Sequence, residues 1–287
     1  SNLDYTVWAD IKNSKVVNLE GNIDAFQSKI RNDLTKDRLS LDNFSSKIFY
    51  KMELGTTNLS LTDLSFMTRN SKYVNNHIRI TRQDSVTSNI SINQLNVSDL
   101  KNSLRLLVLR PGSIVNTSLE LIENGVLKNI LLLDLNDKKS FRYRFYFSQT
   151  GFQNNGFKAS NVSGAVKGNS QIGYLDLDSN DVGVNYKDDG YYISSINGNL
   201  YYKYINDKFM LSSKNIKFDD IHTAKFYGSF SSKQTNLKID LSGNLDDILD
   251  KLPSSFELGN VAQETKVNSD YKIDYRIFKT GDKIYKY

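Results

Sequence analysis

Several kinds of chemistry are excluded by what this sequence lacks. Cysteine is absent from the 287 residues, so disulfides, thiolate catalysis and cysteine-ligated zinc or iron–sulfur sites are ruled out. Proline and histidine each occur only twice. Neither His77 nor His222 stands in a catalytic motif, because the chain has no Gly-x-Ser-x-Gly elbow, phosphate-binding loop or dinucleotide fingerprint. We therefore expect no enzyme, no cofactor and no metal site.

Long apolar runs and concentrated charge are missing as well. No stretch approaches the ~20 apolar residues that cross a bilayer as a helix. The 37 Lys and Arg against 32 Asp and Glu give a formal charge of +5, spread as single residues. This distribution is typical of a solvated surface, so we do not expect nucleic acid as a partner. The chain begins Ser1-Asn2, as tag cleavage leaves it, and we expect a fragment of a longer protein.

Alternation with a period of two residues dominates what is present. The 17 Tyr and 15 Phe favour β-strands. The clearest case runs from Phe141 to Phe147, where aromatic side chains at every second position alternate with Arg142, Arg144 and Tyr146. This period predicts a strand with one apolar face.

One spacing recurs four times along the chain. A small residue is followed by an apolar residue two positions later, by Leu at position 13 and by another aliphatic residue at 17 or 18. The copies are Ser46, Ile48, Leu59, Leu64; Gly164, Val166, Leu177, Val182; Gly198, Leu200, Leu211, Ile216; and Gly228, Phe230, Leu241, Leu245. Repetition on this scale indicates a supersecondary unit stacked on itself. It predicts strand units near 46–66, 164–184, 198–218 and 228–245.

The predicted fold is mainly β. We expect an extended, curved antiparallel sheet built from repeated hairpins, groove-like or taco-like, over one elongated region spanning 1–287. A few short helices are predicted near 22–34, 98–108 and 244–252. Their apolar residues are spaced three and four apart, and Asn22, Ser98 and Asn244 are placed to cap them.

The inward positions of the predicted strands define a candidate apolar face. This face either closes on a second sheet or on the helices as a core, or stays open as a trough for an apolar ligand. Periodicity alone leaves both outcomes open. The candidate lining residues are Ile48, Leu59, Ile90, Ile92, Phe141, Tyr143, Phe145, Phe147, Val166, Leu175, Leu177, Leu200, Phe209, Leu211, Phe230, Ile239 and Leu241.

A series of ordered motifs resembles the AsmA-like proteins of the bacterial envelope, specifically their YhdP branch. The aromatic strand ends in Phe147-Ser148, and residues 161–168 and 174–179 resemble the family's glycine hairpin and following strand. The segment that ends in Leu252-Pro253 resembles the family's strand, helix and Leu-Pro element. With upstream elements the resemblance covers about 48–253.

The resemblance implies a long β-rich periplasmic protein. The parent would be held in the inner membrane by an N-terminal helix that is absent from this fragment. It would assist outer-membrane biogenesis by moving phospholipid or another acyl-chain lipid between the two envelope membranes along a hydrophobic β-groove, without chemical conversion. The alternative function is a structural or adhesive β-repeat module that binds protein or glycan.

Overall fold

The computed structural model describes residues 2–31, 38–68, 71–83, 86–99, 122–135, 141–154, 157–186, 189–205, 208–219, 222–231, 234–244, 270–280 and 283–286. The chain divides into two compact units, residues 1–150 and 151–287. Each unit is an antiparallel arrangement of β-strands. The predicted mainly β fold of consecutive hairpins is thereby confirmed.

The first unit contains nine strands among its described residues, the last of which continues past residue 150. They are β1 (Asn2–Lys12), β2 (Lys15–Phe26), β3 (Ser28–Arg31), β4 (Arg38–Glu53), β5 (Thr56–Met67), β6 (Lys72–Gln83), β7 (Val86–Asn96), β8 (Ile122–Leu133) and β9 (Arg142–Asn154). β1 pairs with β2, β2 and β3 both pair with β4, and β4 to β8 each pair with the next strand. β9 lies beside β8, since Arg142 forms an ion pair with Asp134 at 2.9 Å.

The second unit contains eight further strands, each paired with the next. They are β10 (Phe157–Asn169), β11 (Ile172–Tyr186), β12 (Asp189–Ile205), β13 (Lys208–Phe218), β14 (His222–Phe230), β15 (Gln234–Asn244), β16 (Asp270–Thr280) and β17 (Lys283–Lys286). The four predicted strand units coincide with the hairpins β4–β5, β10–β11, β12–β13 and β14–β15.

The helix predicted near 22–34 is wrong. Residues 22–26 complete β2, and residues 28–31 form β3 after Gln27, whose backbone is left-handed with φ 58°. Both strands pair with β4, and these ladder hydrogen bonds outweigh a weak local helical spacing. The helix predicted near 98–108 begins at 97–99, and its remainder lies outside the described residues. Asn244 ends β15, and the rest of the third predicted helix also lies outside the described residues.

Bulges at acidic and amide residues interrupt many of the strand ladders. Asp63 in β5 and Asp181 in β11 adopt φ values of 52° and 58°, and Asn and Asp tolerate this backbone best after Gly. Each bulge bends its strand and shifts the alternation of side chains. Leu64 and Val182, only 1% exposed, consequently point inward just after these bulges.

Buried polar side chains replace hydrogen bonds that the bulges disrupt. Asn76, 3% exposed, donates from Nδ2 to the Gln94 carbonyl oxygen at 2.7 Å and accepts from the Gln94 N–H at 3.0 Å. Ser179, 1% exposed, likewise accepts from the Ser163 N–H and donates to the Ser163 carbonyl, both at 2.8 Å. These side chains act as part of the backbone ladder.

Removing the Asn76 amide should destabilise the first unit strongly. Asn76→Ala leaves both partly buried backbone groups of Gln94 without this partner, so we expect a loss of about 2–4 kcal/mol in the free energy of unfolding. Urea unfolding followed by circular dichroism measures the loss. The matched control is Asn58→Ala, at an exposed amide that accepts one hydrogen bond from Thr81, with an expected loss under about 1 kcal/mol. Equal losses in the two variants would contradict the bridging role.

Candidate functional site: an apolar sheet face

In the second unit, cross-strand register stacks apolar side chains in rows on one face. Residues directly opposite each other in an antiparallel pair project from the same side of the sheet. The first row is Val166, Leu175, Leu200, Ser213, Phe226 and Ile239. The second row is Gly164, Leu177, Gly198, Ile216, Ala224 and Leu241. Leu200, Ile216 and Ala224 form the buried centre of this face.

A series of aromatic rings continues the same face at the end of β12, the start of β13 and the end of β14. Tyr202 stacks on Phe209 with ring centroids 6.0 Å apart, and Phe209 contacts Phe230 at 6.3 Å. Two glycines make room for these rings. A Cβ on Gly173 would lie 2.2 Å from the Tyr202 ring, and one on Gly228 would lie 2.6 Å from the Phe230 ring. The rings therefore lie over bare backbone and extend the apolar surface.

The first unit carries an equivalent face across β1, β2 and β4–β8. One row is Val7, Gly21, Ile48, Leu61, Ile78, Ile92 and Ile130. The neighbouring row is Ala9, Leu19, Tyr50, Leu59, Ile80, Ile90 and Leu132. Four of the predicted lining residues, at positions 48, 59, 90 and 92, lie in these rows.

The aromatic residues of the β9 segment form a series along one side of their own strand. The ring of Tyr143 lies 5.7 Å from that of Phe141 and 6.4 Å from that of Phe145. Phe147 is buried. Burial also raises the pKa of Tyr143 to about 12, which keeps its phenol neutral across the physiological range.

Partial exposure is the common property of the seventeen predicted lining residues. Fourteen of them are half-buried, whereas Phe147 and Leu200 are buried and Phe209 is 38% exposed. The side chains in the core of a closed sandwich are nearly all buried. The nine predicted residues of the second unit share one face, so the structure brings them together as a partly accessible surface.

The opposite face of the second unit is polar and aromatic. Its central row is Lys167, Tyr174, Tyr201, Ser212, Tyr227 and Lys238. The Lys167 ammonium lies 5.6 Å from the centre of the Tyr174 ring, and Tyr174 meets Tyr201 edge-on at 5.0 Å. The two faces therefore differ in polarity: one is apolar, and the other carries charged and hydroxyl groups that water solvates.

Several members of the apolar faces are absent from the predicted set. Ile78 and Ile80 of β6 and Phe226 of β14 occupy central places in the rows. Alternation in His77-Ile78-Arg79-Ile80 is a signal that could have identified the first two. None of the four copies of the repeat covers β6, so the repeat did not point to these two residues.

Titratable groups with displaced pKa values are dispersed rather than gathered at one place. Burial, with the nearby charge of Arg79, lowers the pKa of His77. Burial and a 2.6 Å hydrogen bond to Asp99 raise the pKa of Tyr73. In the described part of the chain, no group of three His, Asp or Glu side chains could hold a metal ion. Among the same residues, no helix has the length and apolar character needed to cross a membrane.

Comparison of the chain with protein-family models, with curated proteins and with solved structures found no match. Function is therefore inferred from the two apolar faces.

The apolar face of the second unit should bind a neutral fluorescent probe such as N-phenyl-1-naphthylamine. Leu211→Ser removes a half-buried leucine from this face, and we expect roughly fivefold weaker binding, equivalent to about 1 kcal/mol of apolar contact. Tyr201→Ser, on the opposite face, is the matched control and should leave the affinity unchanged. Fluorescence titration measures both. Equal weakening, or weakening by the control alone, would show that the probe binds elsewhere.

Proposed function

We propose that this chain is a segment of an AsmA-like envelope protein that conducts phospholipid or another acyl-chain lipid without chemical conversion. One observation carries the proposal: rows of half-buried aliphatic and aromatic side chains cover one face of each unit. In the second unit the other face carries lysines and exposed tyrosines. This asymmetry suits a sheet with lipid on one side and water on the other.

The dimensions of the rows suit an acyl chain. A row that crosses six strands is about 24 Å long at a strand spacing of ~4.8 Å. This length exceeds the roughly 15 Å of hydrocarbon that one bilayer leaflet contains. Burying a chain of about sixteen carbons is worth on the order of 10 kcal/mol at ~0.8 kcal/mol per CH₂. A continuous apolar row therefore lowers the cost of moving such a chain through water by a large amount.

The envelope location follows from the motifs that resemble the AsmA-like family. The aromatic strand falls on β9, residues 161–168 on β10 and residues 174–179 on β11, which are consecutive strands, while Leu252-Pro253 lies outside the described residues. We accordingly place this segment in the periplasm, within a parent that is anchored in the inner membrane. Its partners would be the lipids of the two envelope membranes.

A second candidate function is adhesion to glycan, and the polar face of the second unit favours it. Tyr174, Tyr201 and Tyr227 are 40%, 40% and 41% exposed, and exposed aromatic rings offer flat apolar surfaces flanked by hydrogen-bonding groups. In this case the apolar face would be covered by protein, and the tyrosine row would be the binding surface.

Photo-crosslinking in cells distinguishes the two candidates. We expect benzoylphenylalanine at Leu177 and at Phe145 to form adducts with lipid, because acyl chains would lie along these positions. Asp178 and Arg144, exposed neighbours of opposite strand parity, are the matched controls and should give few lipid adducts. Mass spectrometry of the purified adducts identifies the partner.

Two outcomes would overturn the lipid proposal. The first is an absence of lipid adducts at both Leu177 and Phe145, with protein adducts in their place. The second is equal labelling by lipid at the test and control positions, which would indicate random contact with membranes. Glycan adducts at Tyr201 together with the first outcome would support the adhesive function.

A further inference from the structure

The β1 strand presents an exposed edge with a regular pattern of side chains. Within the first unit β1 pairs with β2 along its whole length, and none of the strands described for that unit pairs with the other edge of β1. Leu3, Tyr5, Trp8 and Ile11 are 60%, 65%, 61% and 67% exposed. Such exposure on a strand of 11 residues is the condition under which another strand adds to a sheet.

Proline and a central lysine, two of the usual devices that protect a sheet edge, are missing from β1, whose one lysine is the last residue of the strand. The register shift in the β1–β2 pair falls between Asp10 and Ile11, near the end of β1, and its extra residue, Val17, belongs to β2. Natural edges are normally blunted by prolines, central lysines or bulges. The edge of β1 is therefore suited to pairing.

We propose that β1 pairs with β1 of a second copy of this chain, antiparallel, about a two-fold axis at Trp8. On the polar side this register sets Asp4 opposite Lys12, Thr6 opposite Asp10, and Trp8 opposite itself. On the apolar side it sets Tyr5 opposite Ile11 and Val7 opposite Ala9. Each unlike pair occurs twice because the interface is symmetric.

Two factors favour this register over shifted ones: the pairing of charged side chains and the alternation of side chains between the two faces. A shift that pairs Asp4 with Asp10 places like charges opposite each other twice, which destabilises an antiparallel pair. A shift by one residue sets the apolar side chains of one copy on the polar side of the other. The register about Trp8 is the one that matches the faces and forms two Asp–Lys pairs.

The second strand reinforces the charge complementarity. In the β1–β2 ladder Asp4 lies opposite Asp24, and Lys12 lies opposite Lys15. One end of β1 is therefore flanked by acid and the other by base. An antiparallel two-fold pairing brings the acidic end of each copy against the basic end of its partner, where both clusters are neutralised.

The pairing joins the apolar faces of two first units. Val7 begins the row through Gly21 and Ile48, and across the axis it would meet Ala9 of the second copy, which begins the neighbouring row through Leu19 and Tyr50. The dimer goes beyond the proposed lipid function and does not depend on it, since the argument uses only the β1 edge and its charges.

Charge reversal tests the register. We expect the chain to form dimers in analytical ultracentrifugation. Asp4→Lys and Lys12→Asp, each alone, replace two attractive pairs with two repulsive ones and should raise the dimer Kd at least about tenfold. Mixing the two single variants should produce a heterodimer, and the double variant Asp4→Lys/Lys12→Asp should restore the homodimer. Both recoveries show that the single variants remain folded.

A single introduced thiol locates the axis, because the chain has no cysteine. Trp8→Cys places the thiol on the axis, where a short bismaleimide should link two copies. Leu3→Cys is the matched control of almost equal native exposure, yet the two thiols would lie about 33 Å apart. A chain that stays monomeric at about 0.1 mM overturns the proposal. Equal crosslinking at the two positions would also overturn it. A double charge reversal that fails to restore the dimer would do the same.

Discussion

The pleat of a β-strand sends successive side chains to opposite faces, and every apolar row in this protein depends on neighbouring strands staying in step. At each bulge the register shifts, and the alternation of inward and outward side chains changes phase. Buried polar groups such as Asn76 and Ser179 hold the bulges by bonding the backbone of the adjacent strand. These hydrogen bonds therefore stabilise the strand register on either side of each bulge.

The repeat in the sequence has a physical cause in these bulges. Simple alternation requires even spacing between inward residues, but Leu59 to Leu64 and Leu177 to Val182 are five positions apart. Asp63 and Asp181 supply a left-handed residue inside each interval. A shift of register between residues 213 and 216 does the same for the third copy. The odd spacing was readable from sequence, but its interpretation as a bulge needed the strand register.

Much of the fold and part of the site could be predicted from the sequence, and the failures have identifiable reasons. Period-two alternation and the repeat predicted the hairpins correctly. The segment from Ile23 to Leu34 has helical spacing, yet residues 23–26 belong to β2 and residues 28–31 to β3, because both strands pair with β4, which is distant in the sequence. Ile78 and Phe226 joined the apolar faces through cross-strand register, which depends on residues distant in the sequence.

The central claim is that acyl chains lie along the apolar face, and paramagnetic relaxation in methyl NMR tests it most directly. Lipid carrying a nitroxide on its acyl chain should broaden the methyl signals of Leu175, Leu200 and Ile239. The methyls of Ile172 and Ile205 serve as internal controls, because their register places them on the opposite face. We expect them to remain sharp. Equal broadening of both sets, or broadening of the control methyls alone, would contradict the account.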